Sequence, residues 1–156
     1  IAWVAGTLLS RALRLFIMLS ARWVCLSTDF DISSGCSVDQ SSVVDGAAAL
    51  LLASEAYMEK SGMQPRARIL ATANMGDCPT LMLNAPVPAA EKVLLKAGLT
   101  KDDIDVWEIN EAFSVVAERF IRKLDLDREK VNINGGAMAL GHPIGATGSI
   151  LVGTAL

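Results

Sequence analysis

The sequence is poor in the side chains that hold metal ions. It contains a single histidine, His142, and three cysteines, Cys25, Cys36 and Cys78. Because the cysteines are odd in number and their spacings fit no zinc-binding pattern, no metal site is predicted. The simplest interpretation is that all three are free thiols in a reducing compartment. Cys78 lies on a predicted loop and is interpreted as incidental.

Aromatic residues and excess charge are also scarce. Aromatic residues make up 5% of the chain, and the formal net charge is −3. Such a chain offers no basic surface for nucleic acid, no polybasic membrane anchor and few platforms on which bases could stack. We therefore expect neither a nucleic-acid partner nor a membrane partner. The 156 residues, 52% of them hydrophobic, are enough for one domain with a core.

The first part of the chain differs from the rest. Residues 1–28 are apolar, contain three arginines and contain no acidic residue. The arginines interrupt the run before it reaches the ~20 residues of a membrane span. A transit peptide, a surface helix without its partner and a non-native segment all fit this composition, and we favour the last. A polar, serine-rich linker at 29–44 follows, so we divide the chain into a segment at 1–38 and a domain at 39–156.

Strand and helix patterns alternate within this predicted domain. Residues 47–53 form an apolar run that fits a buried strand or part of a helix. Helices are predicted at 54–62, from Pro86 or Pro88 to about Ala97, at 111–124 and from Gly145 onward; strands are predicted at 67–73, 105–109 and 130–134. Strands that alternate with helices indicate a layered α/β fold. The chain ends in an apolar run without a helix stop, so we expect it to be a piece of a longer protein.

The strongest local pattern surrounds the single histidine. Five glycines lie close to the His142-Pro143 pair: Gly135, Gly136, Gly141, Gly145 and Gly148. Glycine permits close backbone approach and positive φ, and Pro143 restricts the preceding residue to extended geometry. The imidazole is therefore expected on a stiff turn. These residues alone leave open whether it only stabilises the turn or takes part in chemistry.

A second pattern lies where a predicted strand meets a predicted helix. Asn110 opens the tetrad Asn-Glu-Ala-Phe, and asparagine is a common helix N-cap, so capping is one interpretation. The other is a ligand-facing amide, because α/β folds bind ligands at the carboxyl ends of strands. Such an amide can orient water or donate to a developing oxyanion.

Together the two patterns resemble the thiolase family. The tetrad NEAF at 110–113 is followed 32 residues later by His142 within GGAMALGHPIGATG, and weaker similarity extends back to Ser41. Two separated motifs that agree in order and spacing are far more specific than one glycine motif. The resemblance covers roughly the last three-quarters of the chain. It implies an α/β fold: a thiolase-like layered half-domain, with a mixed β-sheet flanked by helices and truncated at both ends.

The resemblance also implies site residues. Thiolases cleave 3-ketoacyl-CoA with CoA, or run the reverse Claisen condensation, through a cysteine that takes up the acyl group as a thioester. By similarity, His142 activates that cysteine and helps form one oxyanion hole, and Asn110 holds a water that serves a second one for the enolate. The implied CoA-binding residues are Phe113, Ser41, Ser42 and Gly141. Coenzyme A is a substrate here, and no cofactor is implied.

Two catalytic groups of the family are expected outside this chain. The nucleophilic cysteine belongs to the N-terminal half, and a second, proton-transferring cysteine lies downstream, so the fragment alone is expected to be inactive. By resemblance the full-length protein is a homo-oligomer, dimer or tetramer, in the cytoplasm or, in a eukaryote, in mitochondria or peroxisomes. Two alternatives stay open. One is a non-catalytic CoA- or lipid-binding relative. The other is a ketoacyl synthase, which the NEAF and GHP pair disfavours.

Overall fold

The chain is built around a four-stranded mixed sheet with helices on both faces. A computed structural model describes residues 2–6, 15–18 and 40–156. These residues contain four strands and five α-helices, in chain order β1 Ala2–Gly6, β2 Leu15–Met18, α1 Glu55–Ser61, β3 Arg68–Ala73, α2 Pro86–Ala97, β4 Val106–Ile109, α3 Ser114–Leu124, α4 Ala137–Leu140 and α5 Thr147–Ala155. Short 3₁₀ turns at Lys101–Asp103 and Arg128–Lys130 precede β4 and the glycine-rich loop. This arrangement confirms the predicted layered α/β fold.

The strand order in the sheet is β3-β1-β2-β4. Strand β1 is antiparallel to both of its neighbours, whereas β2 is parallel to β4, with Leu15 opposite Val106 and Met18 opposite Ile109. The two central strands therefore come from the first 18 residues, where the sequence analysis predicted no strand. A short apolar run in that segment does not show the periodicity that distinguishes a strand from a helix. The boundary between 38 and 39 stays a prediction, and the remainder of 1–39 lies outside the described residues.

Strand β4 separates two apolar clusters because its side chains alternate between the faces of the sheet. On one face, Trp107 and Ile109 pack with residues of α2 and α3, and the Trp107 ring meets Phe120 edge-on at 5.7 Å between centroids. On the other face, Val106 packs against Leu151 and Ala155 of α5. The end of β4 is thereby held rigidly between layers of helices.

Local sequence signals account for the ends of two helices. Ser54 caps α1 by accepting a hydrogen bond from the Tyr57 backbone N–H, and Gly62 ends that helix with φ +69°. Pro86 stands in the first turn of α2, and Gly98 follows its last residue with φ +66°. Because a left-handed residue after the last turn costs glycine nothing, both predicted helices end where expected.

Several predicted elements are wrong. Residues 47–53 form neither strand nor helix, and Leu51 is 76% exposed. In place of a strand at 130–134, only Val131 pairs with Trp107, in a single parallel bridge. Helix α3 begins at Ser114 after the extended residue Phe113, not at 111, so Asn110 is not its cap. Apolar runs and short polar stretches take their conformation from what they pack against, which the sequence does not display.

Candidate active site

The candidate site lies just beyond the carboxyl end of β4. Asn110 follows the last residue of this strand and is only 9% exposed. Its side-chain Nδ2 lies 3.4 Å from Nε2 of His142. The two residues that the sequence predicted to be catalytic are therefore neighbours in space, although 32 positions separate them along the chain.

An asparagine that the sequence analysis missed fixes the end of β4. Asn132 accepts a hydrogen bond from Ile109 N–H through Oδ1, at 2.8 Å, and donates through Nδ2 to Ile109 C=O, at 3.0 Å. Its own backbone N–H donates to Trp107 C=O at 2.8 Å. The side-chain amide thus stands in for a neighbouring strand, in a residue with φ +49°, a conformation that asparagine tolerates better than most residues.

The glycine-rich loop carries His142 between the short helix α4 and a turn at 144–146, and not on the turn itself as predicted. Gly141 follows the last residue of α4 and has φ +92°. A Cβ at Gly141 would lie 2.5 Å from a methyl group of Val44. Close packing and backbone conformation therefore account for glycine at this position. The contact with CoA predicted for Gly141 stays a prediction.

The segment at 40–42 connects the predicted CoA-binding residues to the site. Gln40 forms an antiparallel bridge with Phe113, and buried Ser41 donates through its hydroxyl to Ala112 C=O at 3.2 Å. The C=O of exposed Ser42 accepts the backbone N–H of His142 at 2.8 Å. The structure therefore gathers Ser41, Ser42 and Phe113 around the two predicted catalytic residues.

A buried threonine lies against one nitrogen of His142. Thr147 Oγ1 is 2.7 Å from His142 Nδ1 and donates to Pro143 C=O at 3.0 Å. We assign the tautomer that fits both contacts, in which the hydroxyl accepts from Nδ1–H and the lone pair of Nε2 faces the Asn110 amide. Burial lowers the pKa of His142, which favours the neutral ring. This nitrogen can therefore accept a proton.

Replacing Thr147 by valine should shift the tautomer of His142. The nearly isosteric side chain cannot accept from Nδ1–H, so the Nε2–H form gains population, by about tenfold if one ordinary hydrogen bond is lost. Nitrogen chemical shifts of the imidazole measure the two forms directly. Thr147→Ser retains the hydroxyl and is the matched control. Equal tautomer populations in the valine and serine variants would contradict the assignment.

A buried carboxyl group lies beneath the site. Glu108 is 2% exposed, and its Oε1 has no hydrogen-bond partner among the described residues. Burial, together with the negative charge of Glu111, raises the pKa of Glu108 to about 7. Glu108, Asn132 and Thr147 were not predicted as site residues, because their burial depends on partners that are distant in sequence or on the local turn and is not visible in the residues beside them.

The cysteines lie away from the site or outside the described residues, and neither a metal-binding group nor a membrane-spanning helix is found in the described ranges. Cys78 is exposed in the turn before α2, and Cys25 and Cys36 lie outside the described residues. Within the described ranges, no group of three or more histidine, cysteine or acidic side chains could hold a metal ion. None of the helices in these same ranges has the length and apolar character needed to cross a membrane.

Comparisons with known proteins identify the family of this chain. The family model for the C-terminal domain of thiolase matches residues 63–156. The steroid 3-ketoacyl-CoA thiolase FadA6 of Mycobacterium tuberculosis is 49% identical over 116 residues, covering 74% of this chain and 28% of the relative. The mitochondrial acetyl-CoA acetyltransferase of Danio rerio is 47% identical over 117 residues, covering 75% of this chain and 28% of the relative.

Solved structures lead to the same family. Human mitochondrial 3-ketoacyl-CoA thiolase superimposes with a TM-score of 0.62 at 46% identity, over 64% of this chain and 25% of that one. The Acat5 thiolase of Ascaris suum, solved in complex with coenzyme A, gives a TM-score of 0.64 at 43% identity, over 65% and 27%. The chain thus spans less than a third of the relatives that it matches. Asn110 and His142 lie inside the region that the family model matches, whereas Ser41 and Ser42 lie before it.

Proposed function

Since the chain belongs to the thiolase family, as part of its C-terminal domain, we propose that it supplies the His142 and Asn110 half of an acyltransferase active site. The reaction is thiolytic cleavage of 3-ketoacyl-CoA by CoA, or the reverse Claisen condensation of two acyl-CoA molecules. The observation that carries the proposal is the 3.4 Å contact between Asn110 Nδ2 and His142 Nε2. It joins the two family motifs in one site.

His142 acts as the base in this proposal. A thiol is a weak nucleophile until its proton is removed, and a neutral imidazole is suited to remove it. The proton of a cysteine from another part of the protein moves to Nε2, and the thiolate adds to the 3-keto carbon. The bond between C2 and C3 then breaks, which leaves an acyl thioester on the cysteine and the enolate of the CoA thioester that keeps C1 and C2. A proton from an acidic group completes that product, and CoA takes the acyl group from the cysteine.

Asn110 helps to stabilise the negative charge that develops on the enolate oxygen. The enolate oxygen needs donors that are already in place before the bond breaks. The Asn110 amide is held at the end of a buried strand, and its Oδ1 has no hydrogen-bond partner among the described residues. A water bound to this amide can donate to the enolate oxygen, as the family resemblance implies. The rigid strand end keeps that donor in position at little cost.

Coenzyme A is the expected partner of the 40–42 and 110–113 segments. Ser41, Ser42, Phe113 and Gly141 are the residues that we assign to it. Coenzyme A enters as a substrate, and the proposal invokes no further cofactor. We also propose a homo-oligomer, dimer or tetramer, for the full-length protein. The cytoplasm is the proposed compartment, with mitochondria as the alternative, because the relatives include bacterial and mitochondrial enzymes.

A chimera tests the proposal. Residues 41–156 would replace the equivalent segment of the Danio rerio acetyl-CoA acetyltransferase, and thiolysis of acetoacetyl-CoA would be measured. We expect kcat/KM within about tenfold of the unmodified relative, because the segment retains both motifs in contact. The isolated 156-residue chain should show no thiolysis.

The same chimera separates the alternatives. A folded chimera that binds CoA without thiolysis would favour a non-catalytic binding protein. A folded chimera that neither binds CoA nor cleaves acetoacetyl-CoA would overturn the proposal. Thermal unfolding of the chimera, compared with that of the unmodified relative, shows whether the exchanged segment is folded. Thiolysis by the isolated chain would contradict the expectation that its own cysteines are not nucleophiles of this reaction.

A further inference from the structure

The residue after Asn110 makes contacts that the proposed chemistry does not use. Glu111 Oε1 accepts a hydrogen bond from Asn132 Nδ2 at 2.7 Å. Its Oε2 accepts the backbone N–H of Met138 at 3.0 Å. The carboxylate therefore bridges two segments that lie 21 and 27 positions further along the chain. Both segments belong to the loop that leads to His142.

We propose that Glu111 is a positioning residue, which locks the end of β4 to the glycine-rich loop and so sets the separation of Asn110 and His142. The inference deepens the proposed function and rests on it for its kinetic consequences. Its structural consequences, the hydrogen bonds and the separation of the two side chains, can be measured without any reaction.

Steric fit supports this role. A Cβ built on Gly136 would lie well inside van der Waals distance of all three atoms of the Glu111 carboxylate group. The loop backbone therefore packs directly against the carboxylate, and a methyl group at 136 would displace the carboxylate from this position. Gly136 is itself buried. A side chain confined in this way keeps the loop backbone at a constant distance from the Glu111 carboxylate, because close packing limits movement in both directions.

Hydrogen bonding explains why a carboxylate is suited to the position. Met138 lies in the first turn of α4, where backbone N–H groups have no partner within the helix. Asn132 already uses its amide on Ile109, and one of its two N–H groups remains for Glu111. An ionised carboxylate accepts from both donors at once, whereas an amide presents only one oxygen.

The geometry connects these bonds to the reacting groups. Glu111 directly follows Asn110, and Gly141, the residue after the end of α4, directly precedes His142. Movement of the loop away from Glu111 would therefore carry His142 away from the Asn110 amide. Ser41 would move less, because its hydroxyl donates to Ala112 C=O, whereas Ser42 accepts the backbone N–H of His142 and is joined to the loop.

Three variants test the proposal. Glu111→Gln removes one of the two accepted bonds at constant size, Glu111→Asp shortens the carboxylate, and Glu91→Gln alters an exposed residue of α2 as a control. In the 156-residue chain we expect amide hydrogen exchange at Met138 to accelerate about tenfold or more in Glu111→Gln. The nuclear Overhauser contact between the Asn110 amide protons and the His142 ring should weaken. The control should change neither.

Kinetics and a double substitution complete the test. In the chimera, Glu111→Gln should lower kcat about tenfold or more with KM for acetoacetyl-CoA nearly unchanged, because misplacement affects the reacting groups. Gly136→Ala should lower the melting temperature less when Glu111→Asp is also present, since the shorter side chain leaves room for a methyl group.

Separate outcomes decide the inference and the function. Unchanged exchange at Met138 and an unchanged Asn110–His142 contact in Glu111→Gln would overturn the positioning role. A KM effect without a kcat effect would do the same. If the chimera with intact Glu111 is inactive, the proposed function fails, while exchange and the Overhauser contact still decide the role of Glu111. If Glu111→Gln unfolds, the coupling between positions 111 and 136, measured with Glu111→Asp and Gly136→Ala, decides it.

Discussion

Replacing His142 by alanine in the active chimera is expected to lower kcat for acetoacetyl-CoA thiolysis by about 10²–10⁴-fold, the usual contribution of a positioned general base. In the tautomer that we assign, Nε2 of this ring is unprotonated and Nδ1–H donates a hydrogen bond to Thr147 Oγ1. Without it, the nucleophilic thiol must lose its proton to water. Stopped-flow measurement of acyl-enzyme formation would locate the loss in the step that forms the thioester.

The structure also provides controls for this variant. The His142 backbone N–H donates to Ser42, a contact that alanine retains, so the turn should persist. We therefore expect CoA affinity within a few-fold of the unsubstituted chimera. Thr147→Ser, which keeps both hydrogen bonds of the hydroxyl, should retain most activity. A fall in kcat of less than about fivefold in His142→Ala would remove this residue from the role of base.

Replacing Glu108 by glutamine is expected to stabilise the 156-residue chain by about 2 kcal/mol at pH 8. Burial and the charge of Glu111 raise the pKa of Glu108 from 4.5 to about 7 in the folded protein. At about 1.4 kcal/mol per pH unit, ionising this group in the fold costs roughly 3 kcal/mol. Glutamine has the same shape and no charge, but it still buries an amide, which reduces the gain.

The sign of the pH dependence follows from the raised pKa. Between pH 4.5 and about 7 the unfolded chain loses the Glu108 proton while the folded chain keeps it. The free energy of unfolding therefore falls as the pH rises through this window and is constant above it. Below pH 4.5 both states are protonated, and the advantage of glutamine should disappear.

Denaturant unfolding at pH 4, 6 and 8 measures this difference. The free energy of unfolding of the original chain should fall as the pH rises and Glu108 ionises. The Glu108→Gln variant should not show this fall. Glu91→Gln, an exposed substitution of the same chemistry, is the control and should follow the original chain. Parallel curves for the original chain and Glu108→Gln would show that Glu108 ionises normally in the fold.

The sequence predicted those parts of the fold that rest on short-range signals. Ser54 and Gly62 bound α1, and Pro86 and Gly98 bound α2, because capping and turn geometry depend on a few consecutive residues. It failed at 47–53, where an apolar run is exposed, and at 130–134, where one bridge replaces a strand. Strand pairing depends on a distant partner, which local composition does not reveal.

The features of the site also divide into those that the sequence predicted and those that only the tertiary structure shows. The sequence by itself determined the family, through NEAF and the glycine-rich motif, and it singled out Asn110 and His142 as one amide and one imidazole. Only the tertiary structure decided that these two groups touch, which imidazole nitrogen is free, and that Glu111 and Asn132 hold the strand end against the loop. The sequence specifies the side-chain types, but proton positions and separations depend on partners that packing brings together across 21 and 32 positions of the chain.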